Sequence, residues 1–115
     1  MKALLLALWL TLTAAPAFAQ TISPLEAKDH VGQNVTVEGT VSEVDHAASG
    51  KMIFIDMGGH YPNNVFAGVI FIDDAGKFPG VDSLDGKVVD ITGTIKFYQG
   101  RTEIILNDPA QIKAK

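Results

Sequence analysis

The chain has 115 residues and no cysteine, so it is sized for one domain and can hold no disulfide, thiolate metal site or cysteine nucleophile. Thirteen acidic residues against nine basic ones give a net charge of −4, a field that opposes polyanions and that only a local basic cluster could overcome.

The first element in chain order is an export signal. Lys2 supplies the positive end and Ala3 to Ala15 is apolar or small. Pro16 precedes the small-x-small site Ala17-Phe18-Ala19. This order is that of a secretory signal cleaved after residue 19, and the apolar run is shorter than the ~20 residues of a membrane span. Residues 1–19 are therefore read as signal peptide and 20–115 as the mature domain, periplasmic and without stable membrane insertion. Excluding Lys2 leaves eight basic residues against thirteen acidic, a net charge of −5.

Ser23-Pro24-Leu25-Glu26 has the form of a capping box with proline in the first turn, which predicts a short helix ending near Gly32. Strands follow. Asn34 to Val41 alternates Val35, Val37 and Val41 against Thr36, Glu38 and Thr40, with Gly39 on the apolar face, where it would let the strand bend. After the turn 47–50, Met52 to Met57 places Ile53, Ile55 and Met57 on one face and Met52, Phe54 and Asp56 on the other. Val65 to Ile72 is the third strand. A long connection, 73–85, leads to the fourth, Val88 to Tyr98, with Val89, Ile91, Ile95 and Phe97 on one side. Thr102 to Leu106 is the fifth, and residues 110–115 are expected to trail off.

Gly32 to Val41 echoes Gly86 to Ile95: glycine, an apolar residue three on, another two further, then Gly-Thr-apolar. Two long strands with central glycines, and a long connection between the third and fourth of five, predict an all-β protein, a five-stranded Greek-key barrel of the OB-fold type with a short N-terminal helix.

The residues also resemble a family of small exported bacterial OB-fold proteins. The likeness runs through Ile22-Ser23-Pro24, Val35-Thr36-Val37-Glu38-Gly39, Phe54-Ile55-Asp56-Met57-Gly58 and Tyr61-Pro62. It closes on Thr92-Gly93-Thr94-Ile95, Tyr98, Gly100-Arg101, Glu103-Ile104 and Asp108-Pro109-Ala110-Gln111-Ile112. That family often has Asn-Phe-Gly at 56–58 and Pro-Ser-Gln at 109–111. The resemblance implies the fold, and a likeness in shape to nucleic-acid-binding modules, some attached to nucleases.

His30, His46 and His60 form no recognised metal-ligand spacing, and Asp73-Asp74 and Asp82-x-x-Asp85 lack the ligand ladder of a calcium loop. The serines lack a nucleophile-elbow context. The expectation is a non-enzymatic binding module with no cofactor and no metal. OB-folds bind on the face of the second and third strands. The candidate ligand-binding residues are Lys51, Phe54, Tyr61, Phe71 and Arg101, with an oligomeric ligand, oligosaccharide or protein, as partner. Single-stranded nucleic acid on the same face is the alternative, disfavoured by the acidic charge. Two structural readings stand beside this one: Phe54 and Phe71 covered by the N-terminal helix, and Tyr61-Pro62 serving only to stiffen a turn.

Overall fold

The computed structural model describes residues 20–115; the signal segment read at 1–19 lies outside them. Eight strands form one sheet: β1 (Thr21–Ile22), β2 (Asn34–His46), β3 (Met52–Met57), β4 (Phe66–Phe71), β5 (Val88–Thr94), β6 (Lys96–Tyr98), β7 (Arg101–Ile105) and β8 (Ile112–Ala114). Four short 3-10 helices complete it, at Pro24–Asp29, Ile72–Lys77, Val81–Leu84 and Pro109–Gln111.

Five of these runs make the barrel. β2, β3 and β4 form an antiparallel meander. β7 returns parallel to β4 and pairs antiparallel with β6. β5 and β6 are halves of one strand divided at Ile95, and β5 closes the circuit by pairing antiparallel with the first half of β2. This is the OB-fold. Ile95 keeps the seam bonded across the break, its N–H donating to Gln33 O at 3.0 Å and its carbonyl accepting from Gly32 N at 2.8 Å.

The internal echo has a structural meaning. Val35 pairs with Gly93, Val37 with Ile91 and Gly39 with Val89, so the two copies face each other about a local twofold through Val37 and Ile91. Each central glycine marks a close crossing. A Cβ on Gly39 would lie 2.7 Å from Pro24 Cγ, and one on Gly93 would lie 2.5 Å from Ile104 Cγ2. The sequence suggested bending there; the requirement is also one of space.

The core is filled by alternate residues of every barrel strand, among them Val35, Val37, Ile53, Ile55, Met57, Phe66, Ile70, Ile91 and Ile104. Phe78 and Val81 of the long connection join it, as do Ile22 and Ala27 near the N-terminal end.

Four details differ from the sequence reading. β2 runs on to His46, because a bulge between Val41 and Glu43 shifts the phase of alternation and lets the polar run 42–46 pair with β3. The N-terminal helix is a 3-10 turn ending at Asp29, entered through Ser23, whose N–H donates to Glu26 Oε1 at 3.1 Å. The C-terminal segment does not trail off: β8 pairs with β5, positioned by Gln111. Gln111 Oε1 accepts from the Asn107 and Asp108 amides at 2.8 and 3.0 Å, and Nε2 donates to Thr92 O and Ile105 O at 3.1 and 3.0 Å. Finally, Phe97 is not a core residue. Beyond Ile95 the strand pairs with β7 alone, and Phe97 is 61% exposed.

Candidate functional site: an aromatic cleft on the outer face of the sheet

Residues paired directly across strands share a face, so the register fixes what the outside of the barrel presents. One row runs Glu43, Asp56, Ala67, Glu103, Lys96 across β2, β3, β4, β7 and β6. The next runs Asp45, Phe54, Val69, Ile105. Met52 pairs with Phe71 beyond that. Over these rows lies an open cleft of about 930 Å³, bounded by the 47–48 turn of the β2–β3 hairpin, the β6–β7 hairpin and the loop carrying Tyr61.

Phe54, Tyr61, Phe71 and Arg101 all line this cleft. Phe71 is 42% and Tyr61 59% exposed, and Phe54 is half-buried. The N-terminal 3-10 helix does not cover the phenylalanines: it packs against β2, β4 and β7, with Pro24 beside Gly39, and none of its residues lines the cleft. Lys51 is the exception among the expected residues. It is exposed at the hairpin end and is not part of the cleft lining.

The sequence reading looked to the second and third strands and so, beyond Arg101, missed the contribution of β7. Parallel pairing with β4 brings Glu103 and Ile105 onto the same face, and β6 adds Phe97 and Tyr98 on the opposite bank from Asp45. The signal was present in the alternation of Arg101, Glu103 and Ile105 against the buried Thr102, Ile104 and Leu106.

The Tyr61 loop is tied down by polar contacts. The Tyr61–Pro62 peptide bond is cis. The Arg101 guanidinium carbon lies 4.7 Å from the centre of the Tyr61 ring. Its Nη1 donates to Pro62 O at 3.3 Å and to Asn64 Oδ1 at 3.4 Å. Asn64, itself buried, donates through Nδ2 to Asp56 Oδ1 at 3.1 Å and to Phe66 O at 3.3 Å. Tyr61-Pro62 thus stiffens a turn and presents an aromatic to the cleft at once.

Asp56 is 1% exposed, and among the described residues its Oδ2 has no hydrogen-bond partner. Burial, and then the neighbouring Asp45 and Glu43 carboxylates, push its carboxyl up to about 6, with Arg101 and His60 pulling the other way. Burial also raises Glu103, against the opposing pull of Arg101 and Lys96. Burial is the leading cause for both groups, and the Asp56 carboxyl also stands beside two others.

Among the described residues there is no group of three or more His, Asp or Glu able to hold a metal ion. His46 Nε2 pairs with Asp82 Oδ1 at 2.6 Å and His60 Nδ1 with Glu43 Oε2 at 3.0 Å, each a single His–carboxylate contact. No helix among the described residues is long and apolar enough to cross a membrane.

No family model matches the chain, and no curated protein matches it. Among solved structures, it is similar to a Leishmania major Friedlin protein assigned as an aspartyl-tRNA synthetase, at 15% identity and a TM-score of 0.55 over 90% of this chain. The aspartyl-tRNA synthetase of Entamoeba histolytica gives 15% identity and a TM-score of 0.52 over 84% of it. The chain spans about a fifth of the length of these proteins, 22% and 21% respectively. At this identity the likeness shows the fold: the protein is an OB-fold barrel with an open, aromatic-lined cleft on its outer face.

Proposed function

We propose that the protein is a non-enzymatic binding module that holds an extended ligand in the cleft over β3, β4 and β7, and that it works in the periplasm after removal of residues 1–19. The observation that carries this reading is the exposure of aromatic side chains along a preformed groove. Phe71 and Tyr98 stand exposed there and Phe54 half-buried, whereas the opposite face of β3 and β4 is packed as core. Concave, mostly apolar surfaces with a few placed polar groups are the usual form of a ligand site. The ligand class favoured is an oligomer or protein segment with apolar faces, because the row through Phe54, Val69 and Ile105 offers hydrophobic contact.

Titration of isotope-labelled protein with a peptide pool, chito-oligosaccharides and a thymidine oligomer tests this. Binding should move the amide signals of 52–56, 67–71 and 96–105. Shifts confined to any other surface would remove the reading. The periplasmic assignment predicts a secreted mass beginning at Gln20.

A second reading is single-stranded nucleic acid on the same face. It is supported by the fold likeness to two aspartyl-tRNA synthetases and by rings on which bases could stack, each worth ~1–3 kcal/mol. It requires an affinity that falls steeply with salt.

A further inference from the structure

We propose that the gap above Ala67 is a cation site, which receives a lysine or arginine side chain of a basic peptide laid along the cleft. The inference rests on the reading of this cleft as a binding site and names the chemistry of its occupant.

The row Glu43, Asp56, Ala67, Glu103, Lys96 carries three carboxylates and one ammonium. Asp56 and Glu103 stand two strands apart, which separates their backbones by about 9–10 Å. Between them is the single methyl of Ala67. A cationic head entering that gap stands between the two carboxyls, Glu103 half-buried and Asp56 just beneath the surface, with Phe54 on the neighbouring row.

Compensation for these charges is incomplete within the protein. Arg101 is committed to Pro62 O, Asn64 Oδ1 and the Tyr61 ring. Among the described residues, Glu103 has no cation within salt-bridge distance, and Asp56, buried and on the cleft side of the sheet, leaves Oδ2 without a partner. Aromatic rings beside the row add attraction for a cation through their faces. A phosphate backbone would meet the carboxyls of Asp45, Asp56 and Glu103 along the cleft, against the cations Lys96 and Arg101. The cleft also extends past the charged row to Phe71 and Ile105, which suits a chain with apolar residues beside its basic ones better than a small free amine.

The groups facing Asp56 are Glu43 and Asp45 from β2, Arg101 from β7, and His60 and Asn64 from the intervening loop. A bound cation favours the ionised carboxyl, so affinity must fall as pH is lowered through the range where Asp56 takes up its proton.

Calorimetric titration of the purified protein decides the matter, using three probes: an acetylated, amidated hexapeptide Gly-Lys-Leu-Lys-Leu-Gly, its counterpart with glutamate in place of lysine, and a thymidine octamer. The expected result is binding of the lysine peptide alone. It should weaken at least tenfold in Glu103→Gln and in Phe54→Ala, and weaken again between pH 7.5 and pH 5. Asp56→Asn serves as a second charge variant, with thermal unfolding confirming that each variant is folded. Phe54-dependent binding of the glutamate peptide or the oligonucleotide would overturn the cation site and leave the cleft as a binding surface. Lysine-peptide binding indifferent to both charge variants would do the same. No Phe54-dependent binding of any probe would overturn both readings.

Discussion

Asn64 Nδ2 donates to Asp56 Oδ1 at 3.1 Å, and among the described residues this is the one hydrogen bond that reaches the Asp56 carboxyl. A buried carboxyl held so weakly favours its neutral form. With the folded value near 6 and the ordinary aspartate value 3.8, the native state binds the proton more tightly than the unfolded chain. Stability from this group is therefore full below about pH 4 and is lost as pH rises through 6, by at most about 3 kcal/mol. Asp56→Asn should gain on the wild type progressively between pH 4 and 7 in urea unfolding. A stability difference that stays constant across that range would refute the assignment.

The central glycine of β5 lies where Ile104 crosses. Gly93→Ala should cost about 1–3 kcal/mol, since the clash is with a β-branched side chain inside a packed barrel. Gly76→Ala is the matched control, having nothing within 4 Å of its added methyl, and should stay within about 0.5 kcal/mol of the wild type. Equal effects at the two sites, measured by chemical denaturation, would contradict the packing described.

Gln111 joins four backbone groups from three segments: the Asn107 and Asp108 amides and the carbonyls of Thr92 and Ile105. Gln111→Ala leaves these to water or unpaired, a loss of about 2 kcal/mol. Because β8 follows directly, hydrogen exchange of 112–114 should accelerate more than that of β3. Unchanged protection in β8 would show that the strand holds itself.

Arg101 acts as a fork and as a flat cation over Tyr61, two roles that a lysine ammonium does not reproduce. Arg101→Lys should loosen the Tyr61 loop, seen as faster amide exchange at 61–64, with a cost to global stability below about 1 kcal/mol. Retained protection in that loop would mean the cis turn is held by Asn64 alone.

Much of this architecture was legible in the sequence because each barrel strand alternates, and alternation says which residues turn inward. It named Phe54 and Phe71 as outward for that reason, and both line the cleft. It failed where structure depends on something other than local pattern. The second half of β2 was lost at the bulge after Val41, where the phase slips. β8 was invisible because Ile112–Ala114 has a single large apolar residue and is placed by a side chain, Gln111. Glu103 was missed because only the parallel pairing of β4 with β7 brings it beside Ala67, a contact far apart in sequence. Phe97 continued an apolar face that the barrel does not, and Lys51, next to the cleft-lining Met52, is itself exposed outside the lining.

The inward face has no room to offer. A methyl on Gly68 would stand 3.0 Å from Ile91 Cδ1 and 3.1 Å from Leu106 Cδ1, so the barrel interior is closed at its waist. A ligand held as proposed is held outside, by the side chains of the cleft and not of the barrel interior. Within Met52–Met57, Ile53, Ile55 and Met57 belong to the core, while Met52, Phe54 and Asp56 line the cleft. The two sets are interleaved residue by residue yet physically separated by the sheet. Under the binding role proposed above, outward positions can change one at a time while the same barrel persists beneath.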